Sequence, residues 1–381
     1  TGPAGIEGLD GAALVKHFEC NRCHEGDRLE RPTADKACVG CHAAIHAGTF
    51  EAPKDILAHW QSRIVDLLAA PSLTSIGQRL QRSWVRDFLV KPHDLRPGSS
   101  AMMPRLPIDP KTAEVIAAWL VPTEAPSPDD ARWLAWPSRG RRTMERSGCM
   151  TCHAFTGAPA LAISPVPVAL EPATLELGIM LAPDLAHVRE RFQRPALIAW
   201  LVDPPAQKPG TPMPKLGLST AEATDIAAYL LETPLTPAAP KPIPARLPIL
   251  ERRVPFREVS EKVFHRICWH CHSEPDLALG DGGPGNTGGF GFAGRGLNLR
   301  DYPSITAGSL DDAGQRRSIF RKVEAGPLAG TPKLLAHLLA RQVEEAGQDV
   351  PGIRGMPLGL PAMSPEDIQL VESWIAQGRP E

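Results

Sequence analysis

The sequence has few aromatic residues, almost no net charge and no long apolar run. Aromatic side chains make up 5% of the 381 residues, whereas 41 residues are proline, a balance that suits compact helices joined by extended loops. The formal charge is −2 and the lysines and arginines are scattered, so no nucleic-acid-binding surface is indicated. The most apolar stretch, 158–180, is interrupted by four prolines and two glutamates, and therefore no membrane-spanning helix is predicted.

Cysteine is restricted to one kind of motif. All eight cysteines belong to four copies of the pattern C-x-x-C-H, at residues 20–24, 38–42, 149–153 and 268–272. No cysteine is left for a disulfide, a separate zinc site or a catalytic thiol. A zinc protein would need two C-x-x-C pairs for each ion, and it would not explain a histidine directly after every pair.

The C-x-x-C-H pattern is typical of covalent haem attachment, in which two thiols bond to the haem edge and the histidine binds its iron. The sequence therefore predicts four covalently attached haem c groups. The thiols expected to hold them are Cys20, Cys23, Cys38, Cys41, Cys149, Cys152, Cys268 and Cys271. The histidines expected to bind iron are His24, His42, His153 and His272. Because such attachment ordinarily takes place on the exported side of a bacterial membrane, we expect a periplasmic or otherwise exported protein whose leader was removed ahead of Thr1.

Two proline-rich segments, 121–130 and 233–248, divide the chain and are expected to form stiff polyproline II spacers. The pieces between them, 1–122, 130–233 and 250–381, are each large enough to fold alone. The first two pieces repeat each other: residues 89–92 match 201–204, and Met103-Pro-Arg-Leu matches Met213-Pro-Lys-Leu. A glycine-rich segment at 280–296 is expected to be an irregular loop, since no strand and helix flank it.

Each piece opens with a helix leading into a motif, and Val15, Met144 and Val263 are expected to pack in its core against the last helix. A Pro-x-Leu segment (71–73 and 183–185), a Met-Pro pair and a closing helix follow. This order resembles class I cytochrome c over nearly the whole chain, and the third piece resembles cytochrome c modules that end in Trp-Ile-x-x-Gly, here 374–378. The resemblance implies an all-α fold of three tandem domains, the first with two haems and the others with one. It also implies a histidine on one face of each iron and a methionine on the other.

A methionine opposite histidine raises the potential of the iron. Met213, between two prolines, is the candidate for the haem on Cys149 and Cys152. Met103, with Met102 as the neighbouring alternative, is the candidate in the first domain. Met356 is the candidate in the third domain because a proline follows it, and Met363 at a helix start is its rival.

The first domain holds two motifs but one Met-Pro pair. Two sequence intervals disagree about which of its haems corresponds to the single haem of a class I cytochrome c. The opening helix, predicted over 11–20, favours the haem on Cys20 and Cys23. The 33 residues from Cys38 to Pro71, against 34 from Cys149 to Pro183, favour the other. We adopt the helix argument, which leaves the Cys38 haem in an insertion with a histidine as its second ligand. The candidates, in order of preference, are His59 on a helix predicted over 54–68, then His46, and then His17 and His93.

Since every haem has a candidate for the sixth ligand, the sequence favours single-electron transfer by a four-haem cytochrome, with no catalytic side chain. The expected partners are redox proteins, including a membrane-bound respiratory or photosynthetic complex. The alternative is a haem enzyme, a peroxidase or a sulfur-compound oxidoreductase, with one open iron.

Overall fold

A computed structural model of the chain describes residues 5–99, 102–122, 135–164, 170–273, 295–311 and 313–381. These residues are mainly helical, with one two-stranded antiparallel sheet, β1 (Ser309–Leu310) and β2 (Arg316–Arg317). The predicted all-α class is confirmed. Most of the spacer at 121–130 and of the glycine-rich segment at 280–296 lies outside the described residues. No described helix is both long and apolar enough to cross a bilayer.

The described residues form fifteen α-helices and several short 3-10 and π turns. The α-helices are α1 (Gly11–His17), α2 (Cys38–His46), α3 (Lys54–Gln61), α4 (Arg82–Val90), α5 (Pro110–Leu120), α6 (Pro137–Arg146), α7 (Pro172–Leu181), α8 (Val188–Arg191), α9 (Arg194–Val202), α10 (Pro204–Gln207), α11 (Thr220–Glu232), α12 (Phe256–Val259), α13 (Tyr302–Ala307), α14 (Lys333–Glu345) and α15 (Pro365–Ala376). The 3-10 turns are Cys20–Arg22, Ala34–Lys36, Ile76–Gln78, Cys149–Thr151, Leu185–His187 and Cys268–His270, and the π turn is Ser260–Phe264.

In each of the first two pieces the opening helix crosses the closing helix at a glycine. Helix α1 packs against α5, and α6 packs against α11. A Cβ on Gly11 would lie 2.2 Å from the Cβ of Trp119, and one on Gly140 would lie 2.1 Å from the carbonyl oxygen of Asp225. The two glycines thus allow the helices to approach closely. Val15 and Met144 are buried beside these crossings, as predicted.

The first two pieces pack directly on each other. Their buried apolar side chains form one continuous cluster that extends from Ile6 to Leu230. The amide of Gln81 donates to the carbonyl of Arg191 at 2.9 Å, and the amide of Asp184 donates to the carbonyl of Leu95 at 2.9 Å. Each piece therefore donates a backbone hydrogen bond to the other.

The third piece has a core of its own around Trp374, which is 0% exposed. Phe256, Phe264 and Phe320 surround its indole with ring centroids 5.6–6.2 Å away. Helix α12 continues into the Ser260–Phe264 π turn and packs against α15, and Val263 is buried there as predicted. The Ser364 side chain accepts from the amide of Asp367 and thereby caps the N-terminus of α15.

The second proline-rich segment is extended and mostly exposed, without helix or strand from 234 to 248. It bonds to all three pieces. The amide of Thr236 donates to Gly157 at 2.8 Å, Lys241 pairs with Asp94 at 2.7 Å, and the Gln369 side chain donates to the carbonyl of Pro248 at 2.6 Å.

The helix predicted over 54–68 was too long, because α3 ends at Gln61. After it, the amides of Arg63 and Ile64 both donate to the carbonyl of Trp60, and Leu67 has a φ of +59°. A left-handed residue of this kind cannot continue an α-helix.

We expect Gly140→Ala to lower the free energy of unfolding by about 1–3 kcal/mol, because the new methyl group would meet a backbone carbonyl that cannot rotate away. Gly77→Ala is the control, since its Cβ would find its nearest neighbour at an ordinary 3.4 Å. Urea unfolding followed by circular dichroism compares the two variants. Equal midpoints would contradict the proposed close crossing of α6 and α11.

Candidate haem-binding sites

Three of the four motif histidines bond through Nδ1 to a backbone carbonyl. His24 Nδ1 lies 2.9 Å from the oxygen of Pro71, His153 Nδ1 lies 2.8 Å from that of Pro183, and His42 Nδ1 lies 3.0 Å from that of Asp66. Because a carbonyl only accepts, Nδ1 must carry the proton, and Nε2 keeps its lone pair. This is the arrangement that orients a histidine ligand toward a metal.

These histidines are also held in the neutral form that binds a metal. Burial lowers the pKa of His24, His42 and His153 below the ordinary value for imidazole. The carbonyls of Pro71 and Pro183 belong to the Pro-x-Leu segments that follow the first and third motifs. The structure thus brings the motif at 20–24, not the one at 38–42, to the segment at 71–73.

One cavity is lined by both the first and the third motif. From the first piece it takes Cys20, Cys23, His24, Met102 and Met103, and from the second it takes Cys149, Cys152, His153 and Met213. Trp200 Nε1 donates to the sulfur of Met213 at 3.0 Å. Met103 packs against the apolar cluster, whereas the amide of Met102 donates to the carbonyl of Gly359 at 3.0 Å. Both methionines lie at this cavity, so Met103 stays the predicted ligand and Met102 its alternative.

Four cations line this cavity: Arg79, Arg96, Arg191 and Lys208. Arg79 and Arg191 are 8% and 6% exposed. Burial, and then the charges of Arg96 and Arg79, lower the pKa of Arg191 to about 9. Burial and the same arginines, with Arg191, lower the pKa of Lys208 to about 8. The four groups are therefore close enough to repel one another.

No ion pair joins any of these four cations to a carboxylate of the described residues. Asp94 lines the same cavity, but it pairs with Lys241. An uncompensated buried charge costs several kcal/mol, so this cluster calls for anions. The two propionates at the edge of each haem fit that requirement, and the residues present therefore fit the group that the motifs imply.

The cations come as two matched pairs. Arg79 and Arg191, and likewise Arg96 and Lys208, have the same separation along the repeat, so each piece contributes one member of each pair. Arg79 lies over the ring of Trp200 at 5.4 Å, and Arg191 lies over the ring of Trp84 at 5.1 Å. Each arginine thus stacks on a tryptophan of the other piece.

The second motif lies beside the first and the fourth. Arg22, 4% exposed, pairs with Glu19 at 2.6 Å. Burial raises the pKa of the Cys38 thiol, and the nearby charge of Arg22 opposes that shift. Burial, and then the Cys38 thiol, raise the pKa of Cys23 to about 12 and that of Cys271 to about 11. Cys38 therefore lies near a thiol of each neighbouring motif, since such effects act over short distances.

The four histidines considered as the second ligand for the Cys38 haem lie in different parts of the structure. His59 lies on α3, which packs against the motif helix α2. His46 is exposed. His93 lines the cavity of the first and third motifs, with its ring 4.8 Å from that of His187, so it belongs to a different site. His17 stacks edge-on against Phe18, and its buried Nε2 has no hydrogen-bond partner among the described residues.

In the third piece, Met363 is 4% exposed in the apolar core, and Met356 packs against the same core. The sequence analysis missed His337, on α14. Its Nδ1 lies 2.7 Å from the carbonyl oxygen of Arg354, and its charge helps to lower the pKa of His272, after burial, to about 4. The amide of Met356 donates to the carbonyl of His337 at 2.9 Å. His337 is thus a rival of Met356 as the ligand. The leucines on both sides of it in α14 make it look like part of an ordinary core helix.

None of the eight cysteines forms a disulfide, and the described residues contain no group of three His, Cys, Asp or Glu side chains placed to hold a metal ion on their own. Residues 137–234, about a quarter of the chain, match the family model for cytochrome c. This match supports a c-type cytochrome, with covalently bound haem c, iron and redox protein partners. Comparison with curated proteins and with solved structures gives no match.

We expect Arg191→Gln to lower the midpoint potentials of two haems, those on the first and the third motif. Removing a cation near both irons favours their ferric state, and the cation cluster is shared. Potentiometric titration followed by optical and electron paramagnetic resonance (EPR) spectroscopy gives the potential of each haem. Arg194→Gln is the control, because Arg194 pairs with the exposed Glu232 outside the cavity. A shift confined to one haem would contradict a shared cluster.

Proposed function

We propose that this chain is a four-haem c-type cytochrome that transfers single electrons between redox protein partners in an exported electron-transfer chain. When bound, the haems supply reversible one-electron chemistry, and the protein sets their potentials and spacing. We further propose the division into a dihaem domain at 1–122 and monohaem domains at 130–233 and 250–381. The separate apolar core around Trp374 supports the last boundary.

The main observation behind this proposal is that every motif lies beside at least one other motif. The third and first motifs line one cavity, the first and second meet at Arg22, and the second meets the fourth through Cys38 and Cys271. The order in space, 149–153, 20–24, 38–42 and 268–272, differs from the order along the chain. Because no motif stands apart from the others, this arrangement suits transfer along the row better than four independent sites.

The proposed ligands opposite the histidines are Met103, Met213 and Met356 for the first, third and fourth motifs. Two observations support the first two: Met103 and Met213 lie on the wall of the shared cavity, and the indole of Trp200 bonds to the sulfur of Met213. Met356 is proposed because a proline follows it. With the second iron ligated by two histidines, every iron has six ligands and none is open for a substrate.

Pulse radiolysis with less than one electron per protein molecule tests the function. We expect the electron to redistribute among the haems at a rate independent of protein concentration, because the motifs are neighbours within one chain. The control is Cys149→Ser with Cys152→Ser, which lacks the end haem and should keep redistribution among the other three. A rate proportional to protein concentration would contradict transfer along the row. A high-spin ferric band, or prompt carbon monoxide binding by the reduced wild type, would favour an enzyme.

Two substitutions test which residue is the ligand opposite His272 on the fourth iron. They are measured in the near infrared, where methionine-ligated ferric haem has a characteristic charge-transfer band. We expect Met356→Leu to remove one of three such bands and His337→Gln to leave all three. If Met356→Leu keeps every band of the wild type and His337→Gln opens one iron to carbon monoxide, His337 is the ligand instead.

A further inference from the structure

The second motif has a histidine neighbour that belongs to another haem motif. His270 is one of the two residues between Cys268 and Cys271, and its ring centroid lies 5.9 Å from that of His42, with the ring planes 55° apart. We propose that His270, and not His59, is the sixth ligand of the iron attached at Cys38 and Cys41. This inference rests on the proposed function, since it names a ligand of one of the four haems.

The separation of the two rings suits one metal between them. Two imidazoles that each bind a metal at about 2.0–2.1 Å place their ring centroids about 6 Å apart on opposite sides of it. The Nδ1 of His42 is committed to the carbonyl of Asp66, so its free Nε2 is the atom that can bind the metal.

His270 is suited to be a ligand. Its ring lies next to that of His42, and a neutral imidazole keeps a lone pair on one ring nitrogen that can bind a metal. No hydrogen bond to its ring is formed within the described part of the chain, so no described group competes with a metal. Its place in the turn Cys268–His270 is fixed by the amides of Cys271 and His272, which both donate to the carbonyl of Cys268.

Three of the other candidates, His46, His93 and His17, are less well placed to bind the second iron. His46 is exposed, the ring of His93 lies against that of His187, and that of His17 lies against Phe18. His59 lies on α3, beside the motif helix, and is therefore the natural comparison.

This ligation would tie the third domain to the first. A bond from His270 to the second iron joins the fourth motif to α2, which accounts for the position of Cys271 near Cys38 and Arg22. The second and fourth haems would then be direct neighbours, because the turn Cys268–His270 would carry both an iron ligand of the second haem and a thioether of the fourth.

Three variants of the holoprotein test the assignment. We expect His270→Gln to keep four haems by intact mass, but to convert one low-spin iron with two histidine ligands into a high-spin iron that binds carbon monoxide. His59→Gln, the matched control, should leave the EPR and optical spectra unchanged. His270→Met should keep six ligands and add one methionine-type near-infrared band, so it remains informative if His270→Gln folds poorly.

Opposite results would overturn the inference. If His59→Gln opens an iron while His270→Gln and His270→Met keep the wild-type spectra, the ligand is His59. If neither substitution changes the iron with two histidine ligands, the ligand is a third residue and His270 is excluded. Failure of the proposed function gives a different signature, because it would be visible in the wild type as fewer than four haems or an open iron.

Discussion

The arrangement of the motifs depends on the hydrogen bond between a motif histidine and a backbone carbonyl. The carbonyls of Pro71, Pro183 and Asp66 fix the proton on Nδ1 and leave Nε2 as the metal-binding atom. The same bonds connect three of the four motifs to the chain that follows them, so the position of the ligand and the local fold are set together there. Burial keeps the rings neutral, which metal binding requires.

Charge supplies the second constraint. The cavity shared by the first two pieces of the chain contains four cations and no ion pair that offsets them within the described residues, so the bare polypeptide would hold an unfavourable cluster there. Haem carboxylates would relieve it, and Arg79 and Arg191 each stack on a tryptophan of the other piece, which places these charges between the two pieces. Docking of the two pieces and cofactor loading would thereby be coupled.

Local sequence patterns predicted the helical class and the buried positions Val15, Met144 and Val263, because each depends on neighbours in the chain. The cation cluster, the contact between His42 and His270 and the packing of His337 could not be predicted, because they join segments far apart in sequence. The helix predicted over 54–68 was too long, because α3 ends at Gln61 and the left-handed Leu67 lies beyond that end. His270 was overlooked because it lies inside a motif that already explains its neighbours.

The central claim is that all four motifs carry covalently bound haem. The mass of the intact purified chain under denaturing conditions tests it most directly, because only covalent groups survive unfolding. The account predicts the polypeptide mass plus four haem groups. A mass equal to that of the bare polypeptide, or one with fewer than four additions in fully matured protein, would contradict it.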